Sequence, residues 1–201
     1  MSGAIVYESG TGLYINLTNR CPCDCVFCVR KKTDGINANE SLWLTNEPTY
    51  DEIIDEIEKR DASAYSEIVF CGFGEPTERL DDMISIAKHI KNKHPKTRIR
   101  LNTNGLSDLI NRKSTAKSLA ENIDSASISL NASNEEDYLK ICRPVFGRES
   151  FEAMISFAMD CKKHFNEVCF TIIDSPNDVI IEECKRLCEK LGVRLRIRAN
   201  I

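Results

Sequence analysis

The chain has 201 residues, of which 42% are hydrophobic and 29% charged, and a formal net charge of −4 at pH 7. This composition suits a well-packed domain and argues against general binding to nucleic acids or acidic membranes. There is no apolar run of about 18 residues and no basic-then-apolar leader pattern in residues 1–7, so we expect a cytoplasmic protein. No Pro/Gly-rich linker divides the chain, and we expect a single domain over residues 1–201.

Apolar runs of strand length alternate along the chain with segments of helical periodicity. The predicted strands are 4–7, 13–18, 67–71, 97–103, 125–132, 168–173 and 193–198. The predicted helices are 50–60, 79–93, 114–122, 135–141, 150–164 and 179–191. Strands that alternate with helices indicate a parallel sheet with right-handed crossovers.

The fold class we predict is α/β, as a partial (βα)6 TIM-type barrel with outer helices. A complete eight-unit barrel uses about 250 residues, so six units fit this length, and a flat doubly wound sheet is the alternative. In the strand at 97–103, Arg98, Arg100 and Asn102 alternate with apolar residues. The same alternation recurs at Ser127, Ser129 and Asn131, and at Arg194, Arg196 and Arg198. A strand buried on both faces would be apolar throughout, so the polar face favours an open barrel with a wetted lumen over an exposed sheet edge.

Four cysteines lie close together after the strand predicted at 13–18. Cys21, Cys25 and Cys28 form a CxxxCxxC pattern, whereas Cys23 lies outside the pattern and is interpreted as a bystander. Structural zinc takes four closed ligands and most [4Fe–4S] clusters take four cysteines, so three thiolates predict a cluster with one open iron. Phe27 is placed to shield such a cluster or to stack on a ligand ring. The alternative is a zinc knuckle that uses all four cysteines.

A glycine-rich run, Cys-Gly-Phe-Gly-Glu-Pro-Thr, follows the strand predicted at 67–71. Gly72 and Gly74 permit close backbone approach, and Glu75 adds a carboxylate at the same end of the sheet. Such a loop alone is usually a tight turn. Beside a cluster with an open iron, it predicts capture of a small polar ligand that carries an amino group.

Together these motifs resemble the radical S-adenosylmethionine (SAM) superfamily. The resemblance rests on CxxxCxxC, the Gly-Glu-Pro loop, the Asn-Thr-Asn-Gly run at 102–105 and the Leu-Asn-Ala run at 130–132. More narrowly, the runs LTNRCPCDCVFC, VFCGFGEPTERL, LNTNG and SLNA, with the Arg-Pro…Phe-Gly segment at 143–147, are similar to the TatD-nuclease-associated radical SAM proteins.

The resemblance implies a metal centre and a cofactor site. Cys21, Cys25 and Cys28 would hold a [4Fe–4S] cluster whose fourth iron binds SAM, and one electron would cleave SAM to a 5′-deoxyadenosyl radical that abstracts hydrogen from an unknown substrate. The glycine loop would hold the methionyl amino group; its expected residues are Gly72, Gly74, Glu75 and Pro76. Candidates for ribose and carboxylate contacts are Asn102, Ser129 and Asn131. The implied partners are an electron donor such as flavodoxin or ferredoxin, and a TatD-like hydrolase.

Two departures from the family pattern bear on function. The family's glycine motif on the fifth strand, which contacts adenine, is absent from residues 169–175, and the Asp-Leu-Lys of glycyl-radical activases is Ser-Leu-Asn at 129–131. The alternatives are an activase, a 7-deazapurine-type synthase, or a non-catalytic metal-binding partner of a nuclease.

Two further features allow more than one interpretation. The loop at 30–48 carries Trp43 and is either a substrate-facing lid or a segment packed over the first helix. Arg196 and Arg198, on the lumen face, either meet a carboxylate or phosphate of SAM or substrate, or pair with internal acids.

Overall fold

The computed structural model describes residues 3–35, 41–174 and 178–198. Its strands are β1 (Val6–Ser9), β2 (Gly12–Ile15), β3 (Glu67–Phe70), β4 (Ile99–Thr103), β5 (Ser125–Ser129), β6 (Glu167–Ile173) and β7 (Arg194–Arg198). Strand order in the sheet follows chain order; β1 pairs antiparallel with β2, and every later pair is parallel. The predicted α/β fold with a partial barrel is confirmed.

Helices connect the parallel strands. They are α1 (Tyr50–Glu58), α2 (Leu80–Lys93), α3 (Ser107–Asn111), α4 (Ala116–Ala120), α5 (Glu135–Cys142), α6 (Glu149–His164) and α7 (Asp178–Leu191). The sequence did not predict α3. It ends after five residues because Arg112 adopts a left-handed conformation with φ 53°, and so short a helix shows no amphipathic period.

The outer face of the sheet packs against the helices. Ile68, Leu101, Ile128 and Phe170 are fully buried on successive strands, and Phe157 of α6 is equally buried in the same core cluster. Burial of these side chains is the main source of fold stability. None of the described helices has the length and apolar character that a membrane crossing requires.

The opposite face of the sheet is polar, as the alternation predicted. The strand register places Arg100 beside Ser125, and Ser125 beside Glu167. Because neighbouring residues in register point to one side of a sheet, these polar side chains share the lumen face.

Candidate functional site

The cysteine loop leaves the carboxyl end of β2, and burial separates its four thiols. Cys23 is only 5% exposed and pairs with Pro144 in an isolated β-bridge. Cys21, Cys25 and Cys28 are partly exposed. The three residues of the CxxxCxxC pattern are therefore the accessible ones, and Cys23 is anchored in the core.

The segment after α5 clamps this loop through its backbone. The Asp24 amide donates to the Cys142 carbonyl at 3.1 Å, and the Val26 amide donates to the Ile141 carbonyl at 2.9 Å. In the reverse direction, the Val145 amide donates to the carbonyl of Pro22 at 2.9 Å. These bonds hold the loop in place although it has little regular structure of its own.

Thiol contacts activate two of the predicted ligands. Hydrogen bonds from the Cys142 and Cys23 thiols lower the pKa of Cys25 to about 4, and a hydrogen bond from Cys23 lowers the pKa of Cys21. The same contacts raise the pKa of Cys23 and of Cys142. Cys21 and Cys25 therefore favour the thiolate form, which is the form that binds iron.

Cys28 occupies a different environment. Its sulphur accepts a hydrogen bond from Arg30 Nε at 3.3 Å, and the same guanidinium donates to the Asn19 carbonyl at 3.1 Å. Across the described ranges, no three Cys, His, Asp or Glu side chains converge in a geometry that could hold a metal ion. The structure brings Cys21 and Cys25 together through Cys23, whereas Cys28 pairs with Arg30.

The glycine loop after β3 lies directly against β2 and the cysteine loop. A Cβ on Gly74 would lie less than 3.0 Å from the backbone oxygens of Thr18 and Arg20, and a Cβ on Gly72 would collide with Asn16. The Glu75 amide donates to the Arg20 carbonyl at 2.8 Å. The two glycines thus allow the backbone of the glycine loop to lie close against the segment that follows β2.

Glu75 is 3% exposed, and its carboxylate links the glycine loop to the loop after β4. One oxygen accepts from Thr103 Oγ1 at 2.7 Å and from Thr77 Oγ1 at 2.8 Å. The other accepts from the Asn104 amide at 2.7 Å. Burial raises the pKa of Glu75, against these hydrogen bonds, which favour the charged form. Pro76 is buried at the start of the short 3-10 turn that follows.

The predicted lumen residues differ in what they contact. Asn102 accepts a hydrogen bond from Arg100, and Ser129 is partly exposed at the carboxyl end of β5. Asn131 adopts a left-handed φ of 61°, donates to Cys142 Sγ at 3.5 Å, and has a buried Oδ1 without a partner. Phe27 is partly exposed within the cysteine loop.

Trp43 packs against the glycine loop. Its ring meets Phe73 edge-on with centroids 5.0 Å apart, and the Arg30 guanidinium lies 5.9 Å from its centroid. It therefore packs against the glycine loop and Arg30. That the loop at 30–48 is a substrate-facing lid, or a segment packed over the first helix, stays a prediction. Residues 36–40 of this loop, and Ser175 of the 169–175 stretch that lacks the family's glycine motif, lie outside the described residues.

Sequence reasoning missed two residues that border the thiols. They are Cys142, whose thiol hydrogen-bonds to Cys25, and Asn104, whose Nδ2 lies 4.0 Å from Cys21 Sγ and 3.9 Å from Cys23 Sγ. The only sequence signal was indirect, because both lie within or next to runs that carried the family resemblance.

The sequence profile of the radical SAM superfamily matches residues 15–191, which include both loops, β3–β6 and the last residue of β2. The chain belongs to the radical SAM superfamily. Members of this superfamily use a [4Fe–4S] cluster and SAM. No curated protein sequence matches the chain.

Several solved structures share the fold. A radical SAM methyltransferase from Sphaerobacter thermophilus has a TM-score of 0.66 at 18% identity over 96% of this chain and 57% of its own. Methylornithine synthase PylB has a TM-score of 0.64 at 14% identity, over 94% of this chain and 53% of its own. Streptococcus suis SuiB bound to SAM has a TM-score of 0.62 at 17% identity, over 94% of this chain and 38% of its own. The chain thus spans less than two thirds of each, and the likeness concerns the fold alone.

The chemistry of the three thiols suits an iron–sulfur cluster, although within the described residues the three side chains do not converge in a metal-holding geometry. Three partly exposed thiols lie on one loop at the carboxyl end of the parallel strands, two of them with lowered pKa. The orphaned Oδ1 of Asn131 is a buried acceptor next to Cys142, as a ligand donor group would require.

Proposed function

We propose that this chain is a single radical SAM core domain over residues 1–201, in which Cys21, Cys25 and Cys28 bind a [4Fe–4S] cluster. The observation that carries the proposal is the separation of the thiols. The three in the CxxxCxxC pattern are accessible, whereas Cys23 is buried in a β-bridge. A three-cysteine cluster retains an iron that can accept SAM.

The bound cluster and SAM supply the chemistry: reductive cleavage of SAM to methionine and a 5′-deoxyadenosyl radical that abstracts hydrogen from a substrate. The protein supplies binding and positioning. The Gly74–Pro76 backbone is proposed to hold the SAM amino group, because the Glu75 carboxylate is already occupied by internal donors. Asn131 Oδ1, Asn102 and Ser129 are proposed as polar contacts, and Phe27 as a shield for the cluster.

We further propose a place among the TatD-nuclease-associated radical SAM proteins, with a TatD-like hydrolase as a partner. Support comes from the sequence runs that resemble this subfamily, including the segment at 143–147 that clamps the cysteine loop through Pro144 and Val145. A flavodoxin or ferredoxin would supply the electron, and we infer a cytoplasmic location.

Anaerobic reconstitution with iron and sulfide tests the ligand assignment. The wild-type chain should bind about four irons and absorb broadly in the visible range. Cys25→Ala should bind little iron, because one of three ligands is lost. Cys23→Ala is the matched control in the same loop and should bind as much iron as the wild type.

Two results would contradict the proposal. A colourless protein that retains zinc would identify a structural metal site. Loss of iron in Cys23→Ala, with Cys25→Ala unaffected, would show that a different set of thiols binds the cluster.

A further inference from the structure

The lumen face carries more arginine than acid. Five arginines and two glutamates of the described residues project from β3, β4, β6 and β7 or their ends: Arg98, Arg100, Arg194, Arg196 and Arg198, with Glu67 and Glu167. Three of the arginines have carboxylate partners. Arg100 binds Glu67 through two bonds of 2.7 and 2.9 Å, whereas Arg98 and Arg194 share Glu167.

The remaining two arginines, Arg196 and Arg198, form no salt bridge with a carboxylate within the described ranges, and Arg196 acts on Glu67 only through its charge. Arg196 donates only to Ser127 Oγ at 3.3 Å, and its Nε is buried without a partner. The Nε of Arg198 is likewise buried and unpartnered. Burial lowers the pKa of Arg198, and the neighbouring Arg196 lowers it further.

Backbone pairing fixes the position of this pair. In the register of β6 and β7, Thr171 faces Arg196 and Ile173 faces Arg198, and the Asp174 amide donates to the Arg198 carbonyl at 2.6 Å. Arg198 therefore lies two residues nearer than Arg196 to the carboxyl ends of the strands, where the cysteine and glycine loops lie. Below it, Arg196 lines a cavity of about 170 Å³ together with the paired arginines and their partners Glu67 and Glu167.

Partly buried cations without a counterion are costly, and proteins normally pair them. The other three lumen arginines each have a glutamate partner. A planar guanidinium can donate two parallel hydrogen bonds to a carboxylate or phosphate group. Two adjacent guanidinium groups can therefore bind one such anion more tightly than a single group. An anion from outside the chain would satisfy the free donors of both.

We propose that Arg196 and Arg198 bind a carboxylate or phosphate group of the substrate inside the barrel, below the cofactor end. The assignment of this anion to the substrate rests on the radical SAM function proposed above. The claim that the two arginines bind an anion does not depend on that function. The SAM carboxylate is the second possible source of the same chemistry, and the experiment separates the two.

The first arm measures anion binding in the chain without a cluster, by titration calorimetry with inorganic phosphate and with acetate. The wild type should bind at least one of them, and Arg196→Met and Arg198→Met should weaken that binding at least about tenfold. The matched control is Arg194→Met on the same strand and face, whose guanidinium is exposed and paired with Glu167; its affinity should stay within about twofold of the wild type.

Three results overturn the proposal: no binding of either anion by the folded wild type, unchanged binding in both variants, or an equal loss in Arg194→Met. Circular dichroism of each variant verifies folding. Should Arg198→Met fail to fold, Arg198→Lys takes its place, because it keeps the charge and loses the fork; its phosphate affinity should still fall severalfold.

The second arm measures SAM binding to the reconstituted chain by equilibrium dialysis. If the anion belongs to the substrate, Arg198→Met leaves SAM affinity unchanged. A fall in SAM affinity that matches the loss of phosphate binding would assign both arginines to the SAM carboxylate and overturn the substrate proposal. Failure of the radical SAM function would appear as absent cluster chemistry with anion binding intact, so the two failures are distinguishable.

Discussion

Single side chains at this site divide into those that build it and those left free for a ligand. The Glu75 carboxylate belongs to the first kind, because Thr77, Thr103 and the Asn104 amide all donate to it inside the protein. Arg198 belongs to the second kind, because its buried Nε has no partner. Substitution of Glu75 should therefore destabilise the folded protein, whereas substitution of Arg198 should not.

Glu75→Gln should destabilise the fold by about 1–3 kcal/mol, because one oxygen becomes an amide that faces existing donors. Urea denaturation measures the change. Glu121→Gln, an exposed position on the surface, should stay within about 0.5 kcal/mol of the wild type. Equal stability of the Glu75 and Glu121 variants would mean that the carboxylate does not hold the two loops together.

Arg100→Met and Arg198→Met should differ in thermal stability. The first leaves Glu67 without its partner and should cost about 2 kcal/mol, whereas the second removes an unpaired cation and should leave the melting temperature unchanged or raise it. Differential scanning calorimetry of the two variants compares them directly. A large destabilisation by Arg198→Met would indicate a structural role for that residue.

At the scale of elements, the site is a contact between the loops that follow β2, β3 and β4 and the segment that follows α5. Gly74 makes the approach of the first two loops possible, because any side chain there would meet the Thr18 and Arg20 backbone. Cys142 and Pro144 secure the far side of the cysteine loop.

Gly74→Ala should destabilise the protein by about 1–3 kcal/mol, since its Cβ would have to displace backbone. Gly147→Ala is the control: its φ is 66° but no atom lies within 4 Å of the added Cβ, so strain alone should cost about 1 kcal/mol. Chemical denaturation of both variants provides the comparison. A Gly74 variant as stable as the wild type would show that the loops can separate without cost.

The contribution of the Glu67–Arg100 ion pair, which links β3 and β4, to folding stability depends on pH. The Arg100 guanidinium, through hydrogen bonds, lowers the pKa of Glu67 below its ordinary 4.5. The folded state therefore favours the carboxylate, and this stabilisation is present above about pH 4.5 and lost as the pH falls through the lowered pKa.

Glu67→Gln should accordingly cost about 1–2 kcal/mol near neutral pH, and the difference from the wild type should shrink below about pH 4. Unfolding free energies measured across this range test it. Glu167→Gln, where the carboxylate is more exposed, should show a smaller effect. A difference that does not change with pH would exclude the ion pair as its source.

For the whole molecule, the fold was predictable because strand and helix periods alternate and the lumen strands are polar at every second residue. The cysteine triplet could be proposed from the sequence because its spacing is local, and its role as the ligand set stays a prediction. Cys142 and Asn104 were not, because only the folded sheet brings them to the thiols from more than 80 residues away. The contacts of Trp43 with Phe73 and Arg30 depend on the same long-range packing.

We propose that this radical SAM chain cleaves SAM at a cluster held by Cys21, Cys25 and Cys28. The most direct measurement is chromatographic detection of 5′-deoxyadenosine after the reconstituted protein is mixed anaerobically with SAM and dithionite. We predict its release by the wild type and by Cys23→Ala, and none by Cys25→Ala. A wild-type protein that carries a full cluster and releases no 5′-deoxyadenosine would contradict the claim.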